Sequence, residues 1–457
     1  MMHKGKRLIK DSDLIFGRQM KTTHYRLVYL REWQNNKMKC AFVLGVLFAV
    51  VYVKIVYKST NNVCKTFSDY YTDRDQNENC YHNPDEFLSV PGIILRNGYP
   101  LETHTVTTDD GYILTLFRIP WGKRTTLRKI GKPVFIQHGF GSNSACFVNR
   151  REKSLAFILA DQGFDVWLGN FRGTTYSKNH TTLDDSDYTF WNFTVHENGV
   201  FDLRAQITHV RHVTQQGIVY IGYSMGTMAM YVYGATYPDL SSQQVDFFIN
   251  LAPLAYLNGT RSALRVLFPY WWLVKPLVDF VTGGRFFVRV LPRDLLSVAC
   301  YPLPIQMKMC QIPELVLAGF SYHHSDPETL PISLLQTADL ISSKTLSHLI
   351  QLYSSGKFQS YDYGAYENEM KYNQPEPPSY DLSKMKIPTY FIRAENDMVI
   401  TKENVEYLYN SLPAEVRPDY IHVIRDEYFN HSDFLTANNV VALLYNHIVK
   451  ILKDRGL

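Results

Sequence analysis

The sequence predicts an α/β fold: a mostly parallel central sheet flanked by helices, with a mainly helical segment inserted late in the chain. Three observations predict it. From about residue 84, strand-like apolar runs alternate with helix-like stretches, the pattern of parallel strands joined by crossover helices. One such run, Val219-Tyr220-Ile221, passes through Gly222-Tyr223-Ser224-Met225-Gly226 straight into a helix-like stretch, a turn tight enough to require small neighbours. Between about 255 and 378 the alternation fails and the chain turns apolar and helical, which reads as an insertion between sheet strands.

The elements begin with the N-terminus. The first 39 residues hold ten Lys/Arg and three Asp/Glu, whereas residues 40–457 hold 37 basic and 40 acidic side chains. The net charge of +4 is therefore a property of the terminus, and no clustered basic face points to nucleic acid. Residues 40–53, CAFVLGVLFAVVYV, are short for a bilayer span and suit the core of a signal peptide. If Lys54 snorkels, Ile55-Val56-Tyr57 lengthens the run into a possible anchor over 40–57. The expected reading is a cleaved secretory signal that starts at Met38. The alternative is a retained type II membrane anchor with the basic end cytoplasmic. Both deliver the rest of the chain to the secretory pathway. The expected organisation is an N-terminal extension over 1–63, a core over 64–254, a cap over 255–378 and a second core portion over 379–457.

The cysteines fit that compartment. Cys40 lies in the apolar segment, and short separations make Cys64–Cys80 and Cys300–Cys310 the preferred pairs, with Cys146 left as a buried thiol. Glycan acceptor sequons stand at Asn179, Asn192 and Asn258. A fourth, at Asn430, is expected to stay unused because it adjoins a candidate catalytic residue.

Strands are expected at 112–118, 133–137, 165–168, 218–221, 247–251, 389–393 and 420–423, and helices at 153–162, 199–212, 225–237, 402–411 and 438–452. Inside the insertion, Phe268, Tyr270, Trp271 and Trp272 read as packed core rather than as a ligand surface.

A serine between two glycines at a strand-to-helix junction matches the strained turn that presents a nucleophile. Ser224 is that candidate. Its hydroxyl needs a base within hydrogen-bond reach, and the base needs an orienting acid. Of the six histidines past Ser224, only His431 lies in a loop directly after the final strand, at the sheet edge where Ser224 would sit. The expected acid is Asp397, at the end of strand 389–393, with Glu395 as its competitor one residue too early for the turn. The oxyanion of an acyl transfer needs two backbone N–H donors. Met225, next to the serine, offers one. Phe140, in the loop Gln137-His138-Gly139-Phe140-Gly141, offers the other, and His138 reads as a packing residue of that loop. Such chemistry needs neither metal nor organic cofactor.

Seven stretches taken in order resemble the acid lipase family, the gastric and lysosomal lipases and their insect relatives, over about 80 to 455. They are Gly98-Tyr99-Pro100 with Thr107-Thr108-Asp109-Asp110-Gly111-Tyr112-Ile113-Leu114, Gln137-His138-Gly139, Asp165-Val166-Trp167-Leu168-Gly169-Asn170-Phe171-Arg172-Gly173, Gly222-Tyr223-Ser224-Met225-Gly226-Thr227, residues 355–364, Asn396-Asp397, and Asn430-His431-Ser432-Asp433-Phe434. The resemblance implies an α/β-hydrolase fold and a hydrolase of neutral lipid esters, triacylglycerols and sterol esters, that works at a lipid–water interface. It places the family's triad on Ser224, Asp397 and His431, the oxyanion donors on Phe140 and Met225, and a cap disulfide on Cys300 and Cys310. Destinations implied are secretion or the lysosome. Two positions depart from the family: Phe140 stands where a leucine is usual, and Ala394-Glu395 where two glycines are usual. The competing function is a lipid carrier of the same fold without turnover, against which the complete Ser224, Asp397 and His431 set argues.

Overall fold

The computed structural model describes residues 41, 43–49, 63–66, 68–123, 130–287, 300, 304–321, 323–324, 329 and 332–457. The chain divides into two units, 1–60 and 61–457. In the first, residues 41 and 43–49 are helical. Met38, Cys40 and residues 50–57 of the expected targeting segment lie outside the described residues. Among the described residues no helix is long and apolar enough to cross a membrane.

The second unit opens with β1 (Val63–Cys64) and β2 (Cys80–Tyr81), an antiparallel pair in which Cys64 and Cys80 face each other and are joined by a disulfide. The main sheet contains β3 (Glu102–Thr107), β4 (Tyr112–Ile119), β5 (Pro133–Gln137), β6 (Asp165–Gly169), β7 (Asn179–His180), β8 (Ile218–Tyr223), β9 (Val245–Leu251), β12 (Thr389–Ala394) and β13 (His422–Ile424). Its order is β13-β12-β9-β8-β5-β6-β4-β3, with β7 pairing β4. The β6, β5, β8, β9, β12 and β13 strands run parallel, and β3, β4 and β7 join antiparallel at one edge. Every residue of β5, β6 and β8 is buried, as expected where helices cover both faces of a parallel sheet.

The helices that follow the strands are amphipathic or wholly buried. Met225–Thr236, behind β8, buries Met225 to Ala235 without a gap, so it is a core helix, apolar all round. Arg204–Thr214 buries Gln206, Ile207 and Val210 on one face and turns its charges outward. The chain goes from β5 to its neighbour β6, then doubles back past β5 to β8 and proceeds to β9, β12 and β13. The strand order thus reverses between β5 and β8. At such a switch point the loops diverge and leave a crevice outside the carboxyl ends of the strands.

Residues 255–378 contain the helices Leu264–Thr282, Pro304–Ala318, Ser343–Ser355 and Ala365–Tyr372. They also contain an antiparallel pair of their own, β10 (Arg285–Phe287) with β11 (Leu340–Ser342). Cys300 and Cys310 are disulfide-bonded, and the Cys146 thiol is buried. The expectation for the aromatic run is corrected. Trp271 is buried and donates its ring N–H to Ser347 Oγ at 2.8 Å, but Tyr270 and Trp272 are exposed. The Leu264–Thr282 helix buries Trp271 and leaves most of its other large apolar side chains exposed.

Candidate active site

Ser224 sits between β8 and the Met225–Thr236 helix with φ 52° and ψ −118°. That is a conformation L-residues adopt rarely and keep only when the surroundings enforce it. Here a hydrogen bond from Ser224 N–H to Leu251 O at 2.9 Å and one from Thr227 N–H to Ser224 O at 2.8 Å enforce it. The glycine of the turn follows from contact rather than taste: a Cβ on Gly226 would stand 2.6 Å from Gln137 O, so only hydrogen lets the elbow close against the end of β5.

The imidazole of His431 joins two carefully placed partners. Its Nε2 lies 2.9 Å from Ser224 Oγ, and its Nδ1 lies 2.8 Å from Asp397 Oδ2. Asp397 is almost wholly buried, and its other oxygen accepts the backbone N–H groups of Val399 at 2.9 Å and Ile400 at 2.8 Å. Three of its acceptor positions are thus used, two by backbone N–H groups and one by the imidazole. A carboxylate held this way fixes both the ring's orientation and its tautomer: Nδ1 carries the proton and Nε2 faces the serine hydroxyl as an acceptor. Glu395, by contrast, points its residue into solvent. The departure at Ala394-Glu395 leaves the carboxylate of Asp397, not Glu395, on the ring.

Tyr223, next to the serine, donates its hydroxyl to His431 O at 2.8 Å, with the two rings 5.3 Å apart. This ties the His431 loop to the strand that carries Ser224. Asn430 Oδ1 accepts the N–H groups of Ser432 at 2.8 Å and Asp433 at 3.0 Å, so the base loop is braced from within. Asp433 Oδ2 accepts Asn430 N–H at 2.8 Å and the Ser321 hydroxyl at 2.5 Å. Burial pushes the Asp433 carboxyl up to about 6. Tyr223, Asn430 and Asp433 stand in the stretches that carry the resemblance but have no role of their own there, and Ser321 has no signal in the sequence.

On the opposite wall stands the loop after β5. His138 is fully buried; its Nδ1 lies 2.9 Å from Gly139 O, and its Nε2 accepts Phe171 N–H at 3.1 Å. Burial drives its imidazole down to about 4, so it is a neutral strut. Phe171 precedes Arg172, whose guanidinium pairs with Asp202 at 2.7 Å and Asp110 at 2.6 Å and stacks 3.9 Å over the Tyr112 ring. The Asp109-Asp110-Gly111-Tyr112 and Asn170-Phe171-Arg172-Gly173 stretches are therefore two halves of one buried ion-pair network beneath the Gly139-Phe140 loop. Phe140 follows β5 and Met225 opens the helix after β8, where first-turn N–H groups have no acceptor in the helix. Both backbone donors expected from the sequence thus flank the switch point.

Of the other expected residues, Asn179, Asn192 and Asn258 are exposed, whereas Asn430 is buried and gives its Nδ2 to Gly319 O at 2.6 Å.

Comparison with known proteins agrees with this architecture. Residues 90–151 match a model described as a partial alpha/beta-hydrolase lipase region, and residues 132–274 match the alpha/beta hydrolase fold. The chain is 34% identical over 383 residues to Lipase 1 of Drosophila melanogaster, an alignment covering 83% of this chain and 82% of that protein. It is 32% identical over 379 residues to gastric triacylglycerol lipase of Bos taurus, covering 81% and 93%. Lipase member N of Mus musculus is similar to the same degree, 32% over 377 residues, covering 81% and 92%. With this fold and these relatives, the chain belongs to the acid lipase family of α/β-hydrolases and is a carboxylic ester hydrolase.

Proposed function

We propose that this hydrolase cleaves neutral lipid esters, triacylglycerols and sterol esters among them, with Ser224 as nucleophile, His431 as general base and acid, and Asp397 as the group that orients and charges-balances His431. The observation that carries the reading is the unbroken pair of hydrogen bonds from Asp397 through His431 to Ser224. Ser224 Oγ attacks the ester carbonyl while His431 Nε2 takes its proton. The tetrahedral oxyanion is held by the N–H groups of Phe140 and Met225. His431 then returns the proton to the leaving alcohol as the C–O bond breaks, leaving an acyl group on Ser224. Water, deprotonated by the same imidazole, attacks that acyl group; the fatty acid departs and the serine regains its proton.

The lipid part of the reading rests on the Leu264–Thr282 helix. Val266, Leu267, Tyr270, Leu273, Leu277, Phe280 and Val281 are all exposed, with Leu273 at 79% and Phe280 at 88%. Its Lys275 and Asp279 neutralise each other. Contiguous apolar surface of this size is uncommon on a protein surrounded by water alone. It suits the face of a lipid particle. Leu273→Glu with Phe280→Glu is expected to lower hydrolysis of an emulsified long-chain triacylglycerol about tenfold or more while leaving a soluble short-chain ester unaffected. Equal rates on the emulsion would contradict the assignment of this face.

The two disulfides and the exposed sequons at Asn179, Asn192 and Asn258 support synthesis in the secretory pathway, with secretion or the lysosome as destination. Asn430 is already occupied on both sides of its amide. Peptide mapping is expected to find glycans at one or more of the three exposed sites and Asn430 bare; a glycan on Asn430 would contradict the site geometry.

A further inference from the structure

We infer that residues Ala318–Ser321, the turn that ends the Pro304–Ala318 helix, are positioning residues of the catalytic machinery: a clasp that holds the loop of Asp397 and the loop of His431 at one fixed separation. This rests on the proposed roles of those two residues. The observation is a convergence of bonds from one short turn onto two loops far away in sequence. Ala318 O accepts the backbone N–H of Met398 at 3.3 Å and that of His431 itself at 3.4 Å. Gly319 O accepts Asn430 Nδ2 at 2.6 Å, and Phe320 O accepts Asn396 Nδ2 at 3.0 Å. Ser321 donates to Asp433. Asp397 is thus bracketed by Asn396 and Met398, and His431 is gripped through its own N–H, Asn430 and Asp433.

Three successive carbonyls point at the two loops because the chain reverses at Gly319, where φ is +124°, a region closed to side chains. There is no room for one either: a Cβ on Gly319 would stand 2.6 Å from Asn396 O and 3.0 Å from Asn430 Cβ. Those two atoms belong one to the acid loop and one to the base loop. A side chain at this single point therefore presses on both loops at once.

The arrangement also explains why residue 430 is an amide. Its Oδ1 accepts two loop N–H groups and its Nδ2 donates to Gly319 O, a division of labour that an ionised carboxylate, which has no donor, cannot reproduce. The segment that carries the clasp lies in the 255–378 stretch rather than beside either loop, and the Cys300–Cys310 disulfide anchors the same helix. The geometry of acid and base is then set by a part of the chain that contributes no reacting group.

Gly319→Ala and Asn396→Ala test this on the full chain with a soluble short-chain ester, read by kcat, KM and thermal melting. Gly319→Ala is expected to lower kcat about 10–100-fold with KM little changed, since small misplacement of reacting groups costs that much. Asn396→Ala lowers kcat in the same way by less. A lower melting temperature with kcat unmoved would make the turn merely structural and overturn the inference. Should Gly319→Ala fail to fold, Asn396→Ala decides by the same two readouts. Ser224→Ala separates the layers: if it stays active, the proposed triad fails. If it is inactive while both clasp variants match the parent, the clasp alone fails.

Discussion

Ser224→Ala is expected to lower kcat by at least ~10³-fold while the protein still folds and melts cooperatively. The size follows from the role. An acyl-enzyme needs an oxygen nucleophile at that point, and the two hydrogen bonds through His431 have no other function once Oγ is gone. The residual rate should be that of oxyanion stabilisation and substrate binding acting on water. Folding should survive because the strain at residue 224 is carried by backbone bonds from Leu251 and Thr227, which alanine retains. Retention of more than about a tenth of the parent rate would reduce Ser224 to a loop serine.

Asp397→Asn should cost on the order of 10⁴-fold in kcat with little change in fold. The amide is the same size and can keep the Val399 and Ile400 N–H bonds through its oxygen. Its NH₂ would then face His431 Nδ1, forcing the proton onto Nε2, where the ring can no longer accept from Ser224. Glu395→Gln, on an exposed side chain, is expected to be close to the parent. Combining Asp397→Asn with Ser224→Ala should add little further loss, because members of one catalytic unit do not contribute independently. A near-normal Asp397→Asn beside an inactive Glu395→Gln would move the acid to Glu395.

Which of these features the sequence reveals follows from how each is made. β5, β6 and β8 are buried on both faces, so they read as continuous apolar runs and their ends mark where functional loops begin. Ser224 and Asp397 are legible because they follow strands of this kind, β8 and β12, whereas His431 follows the short, half-buried β13 and is legible from its place in the chain order. β3 is not. Glu102-Thr103-His104-Thr105-Val106-Thr107 is an edge strand with only Val106 buried, and its identity comes from pairing with β4 rather than from its own hydrophobicity. The final helix begins later than its pattern suggests: residues 441–445 form a wider π turn before Asn446–Asp454.

The aromatic run at 268–272 shows the limit of composition. Apolar content predicts burial only where a partner surface exists on every side, and in the Leu264–Thr282 helix only Trp271 is buried. The bracing of the site was beyond sequence for another reason. Asn430 to Gly319, Asn396 to Phe320 and Ser321 to Asp433 join polar loop residues 111, 76 and 112 positions apart, and no periodicity marks such pairs. The buried Arg172 network is an intermediate case. Arg172 and Asp110 stand in recognisable stretches, whereas Asp202 does not, and the convergence of both acids on one guanidinium appears only in the fold.

The most direct measurement is the site and rate of covalent labelling by a fluorophosphonate ester, read by mass spectrometry of the peptide that contains residue 224. The account predicts a single adduct on Ser224 in the parent protein and labelling slowed by at least ~10²-fold in His431→Ala, because the hydroxyl reacts only when its proton has an acceptor. An adduct on another serine, or labelling of Ser224 at an unchanged rate without His431, would contradict it.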